Sequence, residues 1–90
     1  MPEPDTRNAT TILSTLEMEF RQALEAERAF LEWRAENLDA PFPEQLRRMG
    51  EWMEAGEPYA ASYKRIRTRF PEAMDRVHAL LLPIQKQVLG

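Results

Sequence analysis

Apolar residues recur along this chain at helical intervals. From about Thr10 to Leu38, the positions Ile12, Leu13, Leu16, Phe20, Ala23, Leu24, Phe30, Leu31 and Leu38 follow one another mostly in steps of three and four. An α-helix brings such positions onto one face, so the stretch predicts a long amphipathic helix. Ser14 and Glu17 have the spacing of a capping box, which would allow a start one turn later. The run Asp39-Ala40-Pro41-Phe42-Pro43 ends the helix, because a residue before proline is pushed out of helical geometry.

A short helix is predicted to start at Pro43, whose missing N–H costs nothing in a first turn. It carries Leu46, Met49 and Met53 along one side and ends near Gly56. Pro58 opens a third segment, with Tyr59, Tyr63, Ile66 and Phe70 at helical spacing. Pro71 interrupts it, and a fourth segment follows with Met74, Val77, Leu80, Leu81, Ile84 and Val88. Pro83 removes a further backbone hydrogen bond, so a kink is expected there. No segment alternates with the period of two that a strand requires. The pattern predicts an all-α fold, with residues 1–9 as a flexible N-terminus and 10–90 as one helical domain.

Lengths suggest how the pieces fit. Residues 10–38 make a rod of about 44 Å, and residues 58–89, if roughly collinear, a second of about 48 Å. The short helix 43–55 would lie at the turn of this long hairpin. Two rods side by side enclose no core, and pairing two hairpins into a four-helix bundle would supply one. Dimerisation is therefore the expectation, with a compact three- or four-helix monomer as the alternative.

Composition sharpens that expectation. A chain of 90 residues buries only roughly 60% of the surface its unfolded form exposes. Small domains add disulfides, a metal or a partner chain. With no cysteine and one histidine, His78, association is the aid that remains, and no cofactor is expected. The start, Met1 to Asn8, lacks the basic-then-apolar layout of a secretory signal. The longest apolar run, Ala79 to Ile84, is far short of the ~20 residues of a membrane span. These features lead us to expect a cytoplasmic chain without membrane contact.

The net charge of −3 conceals an asymmetry. Residues 1–57 sum to −7 and residues 58–90 to +4. Mutual neutralisation as the chain folds back is expected, with an oppositely charged partner as the other reading.

Few residues suggest chemistry. Glu72, Asp75 and His78 lie three apart on one helical face, which resembles in part how carboxylate-bridged helical bundles present metal ligands. Such sites repeat a Glu-x-x-His element; here it is Asp75-x-x-His78, with Glu25 or Glu32 as further carboxylates. The bland reading is a solvated face. No nucleophile–base pair or glycine-rich phosphate loop is present, and an enzyme is not expected.

Lys64, Arg65, Arg67 and Arg69 form the one basic cluster. With Tyr63, Ile66 and Phe70 turned inward, Lys64, Arg65 and Arg69 spread over the outer face and Arg67 flanks the stripe. Such a surface, with Tyr59 and Tyr63 beside it, could meet phosphates and bases or an acidic protein surface.

Trp33 lies about 140° from the centre of the first helix's stripe, and Trp52 sits at the margin of the short helix. Tryptophan, tyrosine and arginine dominate interface hot spots, which makes Trp33, Trp52, Tyr59, Tyr63, Lys64, Arg65 and Arg69 candidate partner-binding residues. The alternative is that the tryptophans pack as a satellite cluster. Glu27 falls within about 20° of the stripe centre, where an apolar residue belongs. With Arg34 at the margin it is a candidate device for fixing register or partner choice, facing Arg65, Arg67 or Arg69 of its own chain or Arg34 of a second.

The function expected from these features is a non-enzymatic protein–protein interaction module: an adaptor, a chaperone-like subunit or a small inhibitor of a larger complex, acting as a homodimer. The alternatives are a nucleic-acid-associated regulator using residues 64–69, and a carboxylate/histidine metal-binding bundle.

Overall fold

A computed structural model describes the backbone of residues 4–90 and the side chains of residues 11–90. Helix α1 spans Pro4–Glu36, α2 spans Phe42–Arg69, and α3 spans Met74–Leu89 after a single 3-10 turn over Pro71–Ala73. No strand occurs among the described residues, and the fold is all-α. None of its helices is long and apolar enough to cross a membrane, among the described residues.

Two boundaries differ from those the sequence predicts. Helix α1 begins at Pro4, so it takes in residues 4–9 of the segment expected to be a flexible terminus; residues 1–3 lie outside the described residues. More consequentially, residues 43–55 and 58–69 are not two helices but one, continuous through Gly56 and Pro58. Gly56 does not act as a stop. A Cβ built there would sit 4.0 Å from the Ala23 Cβ, an ordinary contact, so Gly56 lies in the seam against α1 without the packing requiring a glycine. Pro58 deletes the bond to the Glu54 carbonyl, but both residues are exposed, where water can take the acceptor.

The hairpin is therefore α1 against α2, not α1 against a C-terminal rod. Its turn is tight: the Asn37 side chain donates to the Trp33 carbonyl at 2.8 Å, and Gln45 donates to the Ala40 carbonyl at 2.8 Å. These satisfy backbone acceptors that the helix end and the turn would otherwise leave open. At the far end the Phe70 N–H still bonds the Ile66 carbonyl at 2.7 Å, and Pro71 then reverses the chain.

Helix α3 folds back along α1 and the end of α2. Leu16, Ile66, Val77 and Leu81 form the core, ringed by Ile12, Leu13, Phe20, Tyr59, Tyr63 and Met74. Each of the three helices contributes, which makes this end, the head, a three-helix bundle.

The helices are unequal. At 1.5 Å per residue α2 is about 42 Å long and α3 only about 24 Å, so roughly 18 Å of the hairpin extends beyond α3. The molecule measures 59 × 24 × 19 Å, as an elongated head and arm require. Two leucines on α1 record where the third helix stops. Leu24 and Leu31 are seven residues apart and share a face, yet they are 6% and 47% exposed, and Leu38 in the turn beyond is 74% exposed.

Candidate interaction surface

The arm is held shut by aromatic residues. Phe30 is buried and stacks on Trp52 with ring centroids 5.1 Å apart, and on Trp33 at 6.3 Å. The Arg48 guanidinium lies 5.0 Å over the Trp33 ring and 3.5 Å from the Glu44 carboxylate. Trp33 and Trp52 thus join the satellite cluster that was the alternative to a binding role, and both are half-buried. Trp52, expected at a helix margin, occupies the seam between α1 and α2.

That placement turns the expected stripe of α2 outward. With Trp52, Gly56 and Tyr59 facing α1, a rotation of 100° per residue carries Phe42, Leu46, Met49 and Met53 to the adjacent side. They are exposed instead of buried. In the head α3 meets α2 at the flank between that side and α1, where Tyr63 bonds His78; the direct continuation of the row, Ala60, Lys64 and Arg67, is exposed. The apolar periodicity was correct; its direction was not, because a second apolar row lies next to it.

Together with Leu31 on α1 and Leu38 in the turn, these four residues form an uncovered apolar face on the arm, beyond the reach of α3. The six are between 38% and 74% exposed. At about 200 Å² for a large side chain, they leave on the order of 600 Å² of apolar surface, the upper end for a monomeric protein.

In the head, Phe20, Tyr59 and Tyr63 form an aromatic ladder, with centroids 4.8 and 5.8 Å apart. The Tyr63 hydroxyl and His78 Nε2 are hydrogen-bonded at 2.8 Å, and Arg67 sits 6.0 Å over the Tyr63 ring. Burial, and secondarily Tyr63, raises the Tyr59 phenol above its usual range. Tyr59 and Tyr63 therefore serve packing first. No three His, Cys, Asp or Glu side chains converge on one point among the described residues, and Glu72, Asp75 and His78 make no such group.

Lys64, Arg65, Arg67 and Arg69 are exposed, and none enters an ion pair among the described residues. Every ion pair among those residues lies within a single helix: Glu17 with Arg21, Arg28 with Glu32, and the Glu44–Arg47–Glu51 set with Arg48. The expected neutralisation of the basic half by the acidic half does not take the form of ion pairs among these residues. Arg65 and Arg69 flank a groove of about 220 Å³ floored by Ile12, Ile66 and Phe70.

The register also separates Glu27 from its expected cations. Ala23 lies against Gly56 and Phe20 against Tyr59, so Arg65, Arg67 and Arg69 run beside residues near 10–16. That is some four turns of α1 from Glu27, or about 22 Å at 1.5 Å per residue. Glu27 is half-buried without an ion-pair partner among the described residues, and Arg34 is exposed. No protein-family model, characterised protein or solved structure matches the chain.

Proposed function

We propose that this chain is a non-enzymatic protein–protein interaction module, an adaptor or small inhibitor in the cytoplasm, that binds through the uncovered face of its arm. The observation that carries this reading is the row Phe42, Leu46, Met49 and Met53, exposed beside Leu31 and Leu38 where the third helix is missing. A helix laid there would continue the head's bundle and remove apolar surface from water, the main driving force of association. Methionine suits such a face, being flexible enough to repack against different partners. Trp33, Trp52 and Arg48 act behind it by keeping the two helices of the arm in register.

The test compares capture from the native cell by the wild type and by Leu46→Glu/Met53→Glu. A species held by the first and lost by the second is expected. Identical captures would reject the arm as the binding face.

A second reading rests on a separate observation: the exposed cations Lys64, Arg65, Arg67 and Arg69, without ion-pair partners among the described residues. They favour an anionic partner, nucleic acid included. Retention on duplex DNA that falls steeply with salt, and is lost in Arg65→Ala/Arg69→Ala, is the expected result of that reading; no retention at low salt would reject it.

A further inference from the structure

We infer that the occupant of the arm's apolar face is the arm of a second copy of this chain, laid antiparallel across a twofold axis between Leu46 and Met49. The inference rests on reading that face as an interface and adds what covers it, in which direction and in which register.

Four observations converge. The first is spacing: Phe42, Leu46, Met49 and Met53 follow steps of four, three and four, the repeat of a helix seam that meets another helix. That spacing reads the same in both directions about its centre. In an antiparallel pair Leu46 therefore faces the partner subunit's Met49, and Phe42 faces the partner subunit's Met53, so that every position meets an apolar one. The second is charge. The outer edge of the row carries Pro43, Gly50 and Glu57, and the two nearest the axis are uncharged, so no like charges meet there.

The third is Gly50. Glycine is the poorest helix former after proline, yet Gly50 lies inside α2. A Cβ added there would meet nothing within 4 Å, so packing within the chain does not require a glycine. Beside the row and near the axis, it lets a second helix come close. The fourth is area: about 600 Å² of apolar surface per copy, before any rim, approaches the roughly 800 Å² per partner of a standard interface. In the pair the partner's arm fills the place that α3 is too short to reach, and four helices enclose the seam that two leave open.

The chain lacks cysteine, which allows a clean test of register. Sedimentation of the wild type from micromolar to near-millimolar concentration should show a species of twice the 10.5 kDa chain mass. Leu46→Glu should weaken the pairing at least a hundredfold. Gly50→Gln, whose Cβ would meet nothing within 4 Å, should weaken it at least tenfold while the melting temperature of the monomer holds or rises with the better helix former. Met18→Glu, on an exposed face of α1 in the head, should leave it intact. On mild oxidation, Leu46→Cys chains mixed with Met49→Cys chains should cross-link, and Phe42→Cys should not cross-link to itself.

Self-cross-linking of Phe42→Cys would overturn the antiparallel register, and a dimer indifferent to Leu46→Glu and Gly50→Gln would overturn the surface. A wild type that stays monomeric near millimolar concentration would overturn the second copy as occupant. The broader reading would survive that last result if the wild type, and not Leu46→Glu/Met53→Glu, still captured a different protein; loss of both effects would remove both.

Discussion

Replacing Phe30 with alanine should undo the arm while leaving the head folded. Phe30 is 8% exposed and, among the described residues, is the only aromatic that touches both tryptophans, at 5.1 Å to Trp52 and 6.3 Å to Trp33. Truncating a buried phenylalanine costs about 3–5 kcal/mol, the spread reflecting how far the site can collapse. The arm is two helices with solvent on either side, so collapse is easy and the low end applies, at about 3 kcal/mol. At roughly 0.05–0.15 kcal/mol per residue the whole chain holds about 5–13 kcal/mol, so this is a large fraction. The midpoint of thermal unfolding should fall by roughly 15 °C, given about 4–8 °C per kcal/mol for a domain of this size. Hydrogen exchange should speed up in residues 25–36 and 42–55 and remain slow around Leu16, Ile66 and Val77, because the two clusters are separate. A loss below about 1 kcal/mol, or a loss of protection spread evenly over both ends, would refute the division into head and arm.

Three other changes test other parts of the account. Glu27→Ala should cost less than about 1 kcal/mol in a urea melt, because the carboxylate is half-exposed and no buried cation depends on it; a loss near 3 kcal/mol would reveal a partner. Pro58→Ala should stabilise by about 2 kcal/mol, restoring a hydrogen bond and helix propensity in the middle of α2; a destabilised variant would mean that Pro58 is needed where it stands. Tyr59 gives a pH dependence whose sign follows from its raised phenol: the fold favours the neutral form, so this contribution is intact below the ordinary value of 10.0 and is lost as pH rises through the higher folded-state value. Between pH 9 and pH 11 the urea midpoint should therefore fall further for the wild type than for Tyr59→Phe, and equal falls would show that Tyr59 does not contribute.

The helical class was legible because apolar steps of three and four run through the chain and no stretch alternates. The break at Pro71 was legible too, since there the ring follows Phe70 at a reversal where no helix face needs to continue. Gly56 and Pro58 misled because each is a helix breaker by intrinsic preference, and context overrode both: Gly56 lies in the seam where α2 packs on Ala23, and Pro58 stands on the exposed side, where water can take the freed carbonyl. Leu46, Met49 and Met53 misled in another way. Periodicity identifies a face without saying whether anything covers it, and only the short reach of α3 reveals that nothing among the described residues does. Trp52 and Phe30 decide which side of α2 meets α1, and their stacking depends on the register of the hairpin, which no local pattern encodes. Glu27 reads as a seam residue only if the stripe is covered along its whole length. It lies instead near the point where cover ends, between Leu24 and Leu31.

Methionine footprinting tests the claim that the arm's apolar face is the surface this protein uses. Met49 and Met53 lie on that face, while Met18 is exposed on α1 in the head. Limited peroxide oxidation, followed by peptide mass spectrometry, should modify all three in dilute protein, since sulfoxide formation follows exposure. On association, whether at high concentration or with a captured partner, oxidation of Met49 and Met53 should slow at least tenfold while that of Met18 stays unchanged. Protection of Met18 with continued oxidation of Met49 and Met53 would place the interface elsewhere and contradict the account.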